Sequence, residues 1–106
     1  MRRYHPRMAL SGKDKRALKA RGQRLVDDIV LGKAGLTDAF IAHANDLLDR
    51  RELIKLRFGE DFKGDARKAL AAEVEAALNA EVVQVLGRTM LLYRPNPQLD
   101  KSQRIL

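Results

Sequence analysis

The sequence of 106 residues predicts an α/β domain: a two-layer αβαβαββ sandwich built on a mixed four-stranded sheet. Three observations predict it. Apolar residues recur at helical spacing in three segments, and four other segments read as short apolar or alternating runs. The two kinds alternate along the chain, which favours parallel neighbours joined by right-handed crossovers. The last two runs are separated only by Gly87-Arg88, which adds an antiparallel hairpin.

The first helix opens at Ser11, a good N-cap, and Asp14 three residues later resembles a capping box with the shorter acid. Ala17, Leu18 and Leu25 share a narrow apolar face, while Lys13, Lys15, Arg16, Lys19 and Arg24 project from the rest; Gly22 weakens the helix near its end. Ile29-Val30-Leu31 reads as a short buried strand. Gly32-Lys33-Ala34-Gly35 then turns the chain, Thr37 caps a second helix, and Asp38 sits favourably in its first turn. Phe40, Ile41, Ala44, Leu47 and Leu48 form the apolar face of that helix; His43, Asn45, Asp46, Asp49 and Arg50 face away.

Ile54, Leu56 and Phe58 alternate with Lys55 and Arg57, the pattern of a strand with one wet face. After the polar loop from Gly59 to Gly64, Asp65 can cap an alanine-rich third helix carrying Leu70, Val74, Ala77 and Leu78. Val82–Leu86 and Thr89–Tyr93 make the hairpin; a two-residue loop with glycine first suits a type II′ turn, and Pro95 ends the last strand. The domain therefore spans residues 10–94. A basic tail (1–9) and a polar tail (95–106) flank it, and both are expected to fray.

Charge is unevenly placed. Residues 1–24 hold nine Lys or Arg against Asp14 alone, a net of +8, whereas residues 25–106 hold twelve bases and thirteen acids, a net of −1. All of the chain's +7 thus sits in its first quarter, an asymmetry that points to a polyanionic partner, most often nucleic acid. Other classes lose support. The chain has no cysteine, hence no disulfide, thiolate nucleophile or cysteine metal site. No apolar run approaches the ~18 residues of a membrane span, and no apolar segment follows the basic N-terminus, so a cytoplasmic protein is expected. His5 and His43 are isolated, the acid pairs Asp27-Asp28 and Glu60-Asp61 have no placeable partner, and no phosphate-binding nucleotide fingerprint is present. Neither enzyme, metal, cofactor nor small-molecule substrate is expected.

The constellation with chemistry in it is Gly32-Lys33-Ala34-Gly35, set between a strand and a helix N-terminus. Glycines let a nucleic-acid backbone approach closely, the first N–H groups of the next helix attract phosphate, and Lys33 adds a point charge. This is the logic of a GxxG loop clamping single-stranded RNA. Lys13, Arg16, Lys19 and Arg24 could track a phosphate backbone from the first helix. Lys55, on the wet side of its strand, and Arg88 and Arg94, flanking the last one, are further cations within reach. Tyr93 could stack on a base, although an aromatic ending a core strand more often packs.

Five stretches also carry a resemblance: Leu10-Ser11-Gly12-Lys13, Val30 to Thr37, Arg51 to Leu56, Val82 to Arg88, and Leu92-Tyr93-Arg94. In this order and spacing they resemble the CRM domain (chloroplast RNA splicing and ribosome maturation), in its bacterial single-domain YhbY form. The resemblance implies the αβαβαββ fold, similar in topology to the C-terminal domain of bacterial translation initiation factor three. It also implies binding of RNA, with bacterial members associated with precursors of the large ribosomal subunit, and so a role in ribosome assembly; separately, a monomer is expected. Asp27 stands where family members usually have proline, and with Asp28 it lowers the local positive field. The competing expectation is a protein-interaction module that reaches the ribosome through a protein partner, with RNA contact incidental.

Overall fold

The structure, a computed structural model, describes residues 10–106; the expected basic tail 1–9 lies outside the described residues. Helix α1 (Gly12–Gly22) starts where Ser11 Oγ accepts the Asp14 N–H at 3.0 Å. Its buried stripe is only Leu18 and Gly22, one turn apart. Gly22 is there for proximity: a Cβ built on it would lie 2.7 Å from Leu91 Cδ2. The glycine that reads as a weak helix residue is what lets α1 lie directly on the sheet.

Strand β1 (Ile29–Leu31) alternates buried, exposed, buried. Val30 is 56% exposed, which corrects the expectation of a wholly buried run. The reason is position: β1 is an edge strand, and only the face carrying Ile29 and Leu31 is covered. Helix α2 (Asp38–Arg51) is capped by Thr37 Oγ1, which accepts the Phe40 N–H at 3.1 Å. Strand β2 (Leu53–Phe58) follows through Glu52, whose φ of 65° makes the sharp exit from α2. Helix α3 (Asp65–Leu78) is capped by Gly64 at φ 44° and not by Asp65, which is the first helical residue and contributes its charge to the first turn. Asn79 ends it in the left-handed region that Asn tolerates.

Strands β3 (Glu81–Leu86) and β4 (Thr89–Tyr93) form the hairpin. Gly87 has φ +58° and Arg88 is not among the positive-φ residues, as a type II′ turn needs. The sheet order is β1-β2-β4-β3, with β1 parallel to β2 and the other two pairs antiparallel. The mixed four-stranded α/β fold is therefore as expected.

Alternation along the strands separates two cores. Leu31, Ile54, Leu56, Phe58, Met90 and Leu92 pack under α2 and α3 with Leu48, Val74 and Leu78. Leu53, Val83, Leu91 and Tyr93 point the other way, onto Leu18 of α1. The sandwich of sheet and α2–α3 thus carries a partial third layer. That layer corrects one detail: β2 does not have a simple wet face, because α1 covers its first half.

The C-terminal segment is also held. Glu52 is 2% exposed, and its carboxylate accepts the backbone N–H of Asn96 at 2.6 Å and of Ile105 at 2.8 Å. A 3-10 turn, Lys101–Gln103, lies between, and Ile105 packs on the α1-side cluster. The polar composition of 95–106 suggests fraying, but a buried acid collects its backbone donors.

Candidate functional site

Gly32-Lys33-Ala34-Gly35 is a closed turn, with the Gly35 N–H donating to the Gly32 carbonyl at 2.9 Å. Gly35 adopts φ +75°, which favours glycine there. A Cβ placed on Gly32 or Gly35 would meet nothing within 4 Å, so the turn faces open space. Lys33 and Ala34 are exposed, and Lys33 has no ion pair among the described residues. Behind the turn, α2 presents its N-terminus. Thr37 satisfies one of its N–H groups and Asp38 places an acid in the first turn, so Lys33 is the turn's own positive charge.

Parallel pairing carries this turn to one end of the sheet. Leu31 stands opposite Phe58, and the Gly59 N–H donates to the Leu31 carbonyl at 2.9 Å. Arg88 reaches the same end from the other side of β2, where the Phe58 N–H donates to the Arg88 carbonyl at 2.7 Å. Arg67 of α3 steadies the hairpin tip through the Gly87 carbonyl at 3.0 Å. Lys33 and Arg88 therefore flank the end of β2.

The α1 cations Lys13, Arg16 and Lys19 form a separate surface with Arg24, which lies in the turn two residues past the helix end at Gly22 and not in the helix as expected. Lys13, Arg16 and Arg24 are exposed and Lys19 is half-buried, none paired with an acid among the described residues. Lys15, by contrast, lies 3.9 Å from Glu81 at the start of β3, the opposite end of the sheet from Lys33. Between the two surfaces runs a row that α1 leaves open: Val30, Arg57, Thr89 and Leu86 stand in register across all four strands. Arg57 belongs to this path but was given no site role by the alternation pattern, which marks it only as wet.

Several expected contacts change meaning. Lys55 is not a free cation, because its Nζ donates to the Gly22 and Leu25 carbonyls at 3.2 and 3.4 Å and ties the end of α1 to β2. Arg94 is a structural clamp: it donates to the Leu78 carbonyl at 2.6 Å, to Asn45 Oδ1 at 2.8 Å and to Asp49 Oδ1 at 2.9 Å. Tyr93 is buried, and burial together with the Glu52 charge pushes its phenol up to about 12. Its ring is not offered for stacking. Asp27 and Asp28 are both answered from within: Asp27 lies 3.6 Å from Arg57, while the Asp28 side chain, 4% exposed, pairs with Arg51 and accepts the Lys55 N–H. They act as partners of local arginines more than as an interruption of the cationic surface. Among the described residues, no group of three or more His, Cys, Asp or Glu could hold a metal. No helix there is long and apolar enough to cross a membrane.

The profile of the CRS1/YhbY (CRM) domain matches residues 10–94. The chain belongs to the CRM domain family. A Pseudomonas aeruginosa protein named Probable RNA-binding protein PA4753 is 33% identical over 95 residues, covering 90% of each chain. A Haemophilus influenzae protein named RNA-binding protein is 31% identical over 90 residues, 84% of this chain and 89% of the other. The solution structure of the Staphylococcus aureus protein SAV1595 superposes with a TM-score of 0.75 at 31% identity, covering 88% of this chain and 96% of that one. In this CRM domain several of the stretches that carry the resemblance also serve the architecture. Leu10–Lys13 caps α1, Val30–Thr37 runs from β1 to the α2 cap, Arg51–Leu56 bears Glu52 and Lys55, and Arg94 locks the end of β4.

Proposed function

We propose that this chain is a non-enzymatic, monomeric RNA-binding protein that associates with precursor RNA of the large ribosomal subunit and acts in its assembly. The Gly32–Gly35 turn and Arg88 grip phosphate at one end of the sheet. Lys13, Arg16, Lys19 and Arg24 supply a second cationic surface, and the strand passes along the open row that includes Arg57. The observation that carries this reading is Lys33 standing without an ion pair among the described residues, on an open glycine turn in front of a helix N-terminus. The names of the relatives support RNA as the partner, and the ribosomal target rests on the family resemblance. Backbone grip selects by shape more than by base edges.

Fluorescence anisotropy with a structured fragment of large-subunit precursor RNA tests it. Affinity should fall steeply with salt, with a slope near −0.7 to −0.9 per phosphate contacted. Lys33→Glu should weaken binding several-fold and reduce that slope by about one contact, with circular dichroism unchanged. Unaltered affinity in that variant removes the turn from the interface.

A second reading has its own observation. Val30 and Leu86, 56% and 65% exposed, place two apolar side chains at the outer strands of the open row, a surface on which a protein partner could seat. It predicts co-migration with ribosomal particles that survives ribonuclease, and no affinity for naked RNA.

A further inference from the structure

The ends of α1 and α2 meet at the end of β2 away from Lys33, and they frame a pocket of about 570 Å³. That volume is within the roughly 300–1,000 Å³ of small-ligand sites. Arg21, Arg24, Arg50 and Arg51 line it, over an apolar floor of Leu25, Leu53 and Ile105. None of the lining residues is acidic. Two of the arginines have partners outside the lining: Arg51 pairs with buried Asp28, and Arg50 with exposed Asp46. Arg21 and Arg24 have no ion pair among the described residues. The carboxylate of Glu52, next to Leu53 of the floor, is turned to the Asn96 and Ile105 N–H groups, so it builds the floor by fixing Ile105.

The pocket thus joins uncompensated guanidinium forks to an apolar surface. Guanidinium forks match the oxygens of a phosphate, and an apolar floor matches the flat face of a base or the carbon face of a sugar. A carboxylate side chain would satisfy the first feature and leave the floor bare. A nucleotide satisfies both. We propose that this pocket binds a single nucleotide, its phosphate on Arg21 and Arg24 and its base or sugar against Leu25, Leu53 and Ile105. The site shares Arg24 with the first-helix surface and otherwise goes beyond the turn-and-helix grip, and it rests on the RNA-binding reading only for one of two sources of that nucleotide, an RNA strand or a free mononucleotide.

The test is amide and arginine side-chain NMR of the full chain titrated with AMP, inorganic phosphate and adenosine in parallel. AMP should shift Arg21, Arg24, Leu25 and Ile105 resonances saturably, at least tenfold more tightly than phosphate, and adenosine, which lacks the phosphate, should compete only weakly. Arg21→Gln combined with Arg24→Gln, which spares the acid-paired Arg50 and Arg51, should weaken AMP at least fivefold with an unchanged amide spectrum elsewhere. Should that pair perturb folding, the footprint on the unmodified chain decides alone. Lys33→Glu should leave the AMP footprint intact, so failure of the turn's role and failure of this pocket give different results. A 5′-phosphorylated trinucleotide binding tenfold tighter than AMP supports the pocket with an RNA strand as its source, and equal binding supports it with a free nucleotide. No saturable shift in the pocket, a footprint confined to the Lys33 turn, or a glutamate-rich peptide shifting the same resonances where AMP does not, overturns the proposal.

Discussion

Glu52→Ala should loosen the C-terminal segment and lower the stability of the whole domain. The carboxylate accepts two backbone N–H groups across 44 and 53 residues of chain, Asn96 at 2.6 Å and Ile105 at 2.8 Å. Hydrogen bonds to a charged group contribute about 1.5–3 kcal/mol each, which sets a ceiling near 3–6 kcal/mol. Both donors are half-buried and can rehydrate if the segment lifts away, so about 2–3 kcal/mol is the expected loss. For a domain of this size that lowers Tm by roughly 8–20 °C. Calorimetry gives the Tm, and hydrogen exchange reads the Ile105 amide, which should lose protection first. Glu52→Gly should be less damaging than Glu52→Ala, because glycine tolerates the φ of 65° that alanine must strain to adopt. A Tm within 2 °C of the parent, with the Ile105 amide still protected, would contradict this role for Glu52.

Three further outcomes follow from the same contacts. Arg94→Ala strips donors from the Leu78 and Asn45 carbonyls and should cost about 2–4 kcal/mol by chemical denaturation, whereas the same change at exposed Arg88 should cost under about 0.5 kcal/mol. Gly22→Val drives branched carbons into Leu91, already 2.7 Å from a built Cβ, and should destabilise by about 1–3 kcal/mol while separating α1 from the sheet, seen as near-ultraviolet shifts at Tyr93. The Tyr93 phenol, pushed up to about 12 chiefly by burial, is neutral in the fold where an unfolded tyrosine already ionises near 10. Its contribution is therefore fully present below pH 10 and lost as pH rises toward 12, and absorbance titration should show one tyrosine ionising well above the ordinary range.

Local signals made most of the fold legible. Ser11 and Thr37 are caps because their hydroxyls reach an N–H three residues on, a rule contained in adjacent residues. Gly87 marks its turn for the same reason. What escaped is what depends on distant chain. Gly22 looks like a weak helix residue until Leu91 is laid against it, and Glu52 looks like a helix-end acid until residues 96 and 105 arrive. Lys55 occupies a wet-face position in its strand, but the end of α1 supplies carbonyls above it. The candidate site divides along the same line. The Gly32–Gly35 turn is local and reads directly, whereas the arginine pocket needs two helix ends and the C-terminal segment to meet, and no stretch of sequence contains it.

The proposed binding of large-subunit precursor RNA through the Gly32–Gly35 turn and first helix can be read in cells. Crosslinking the full chain to RNA in cells, followed by sequencing of the bound fragments, tests it most directly. Reads should concentrate on large-subunit precursor RNA in the parent and be strongly depleted in Lys33→Glu. Reads spread evenly over cellular RNA, or an undiminished ribosomal signal in that variant, would contradict it.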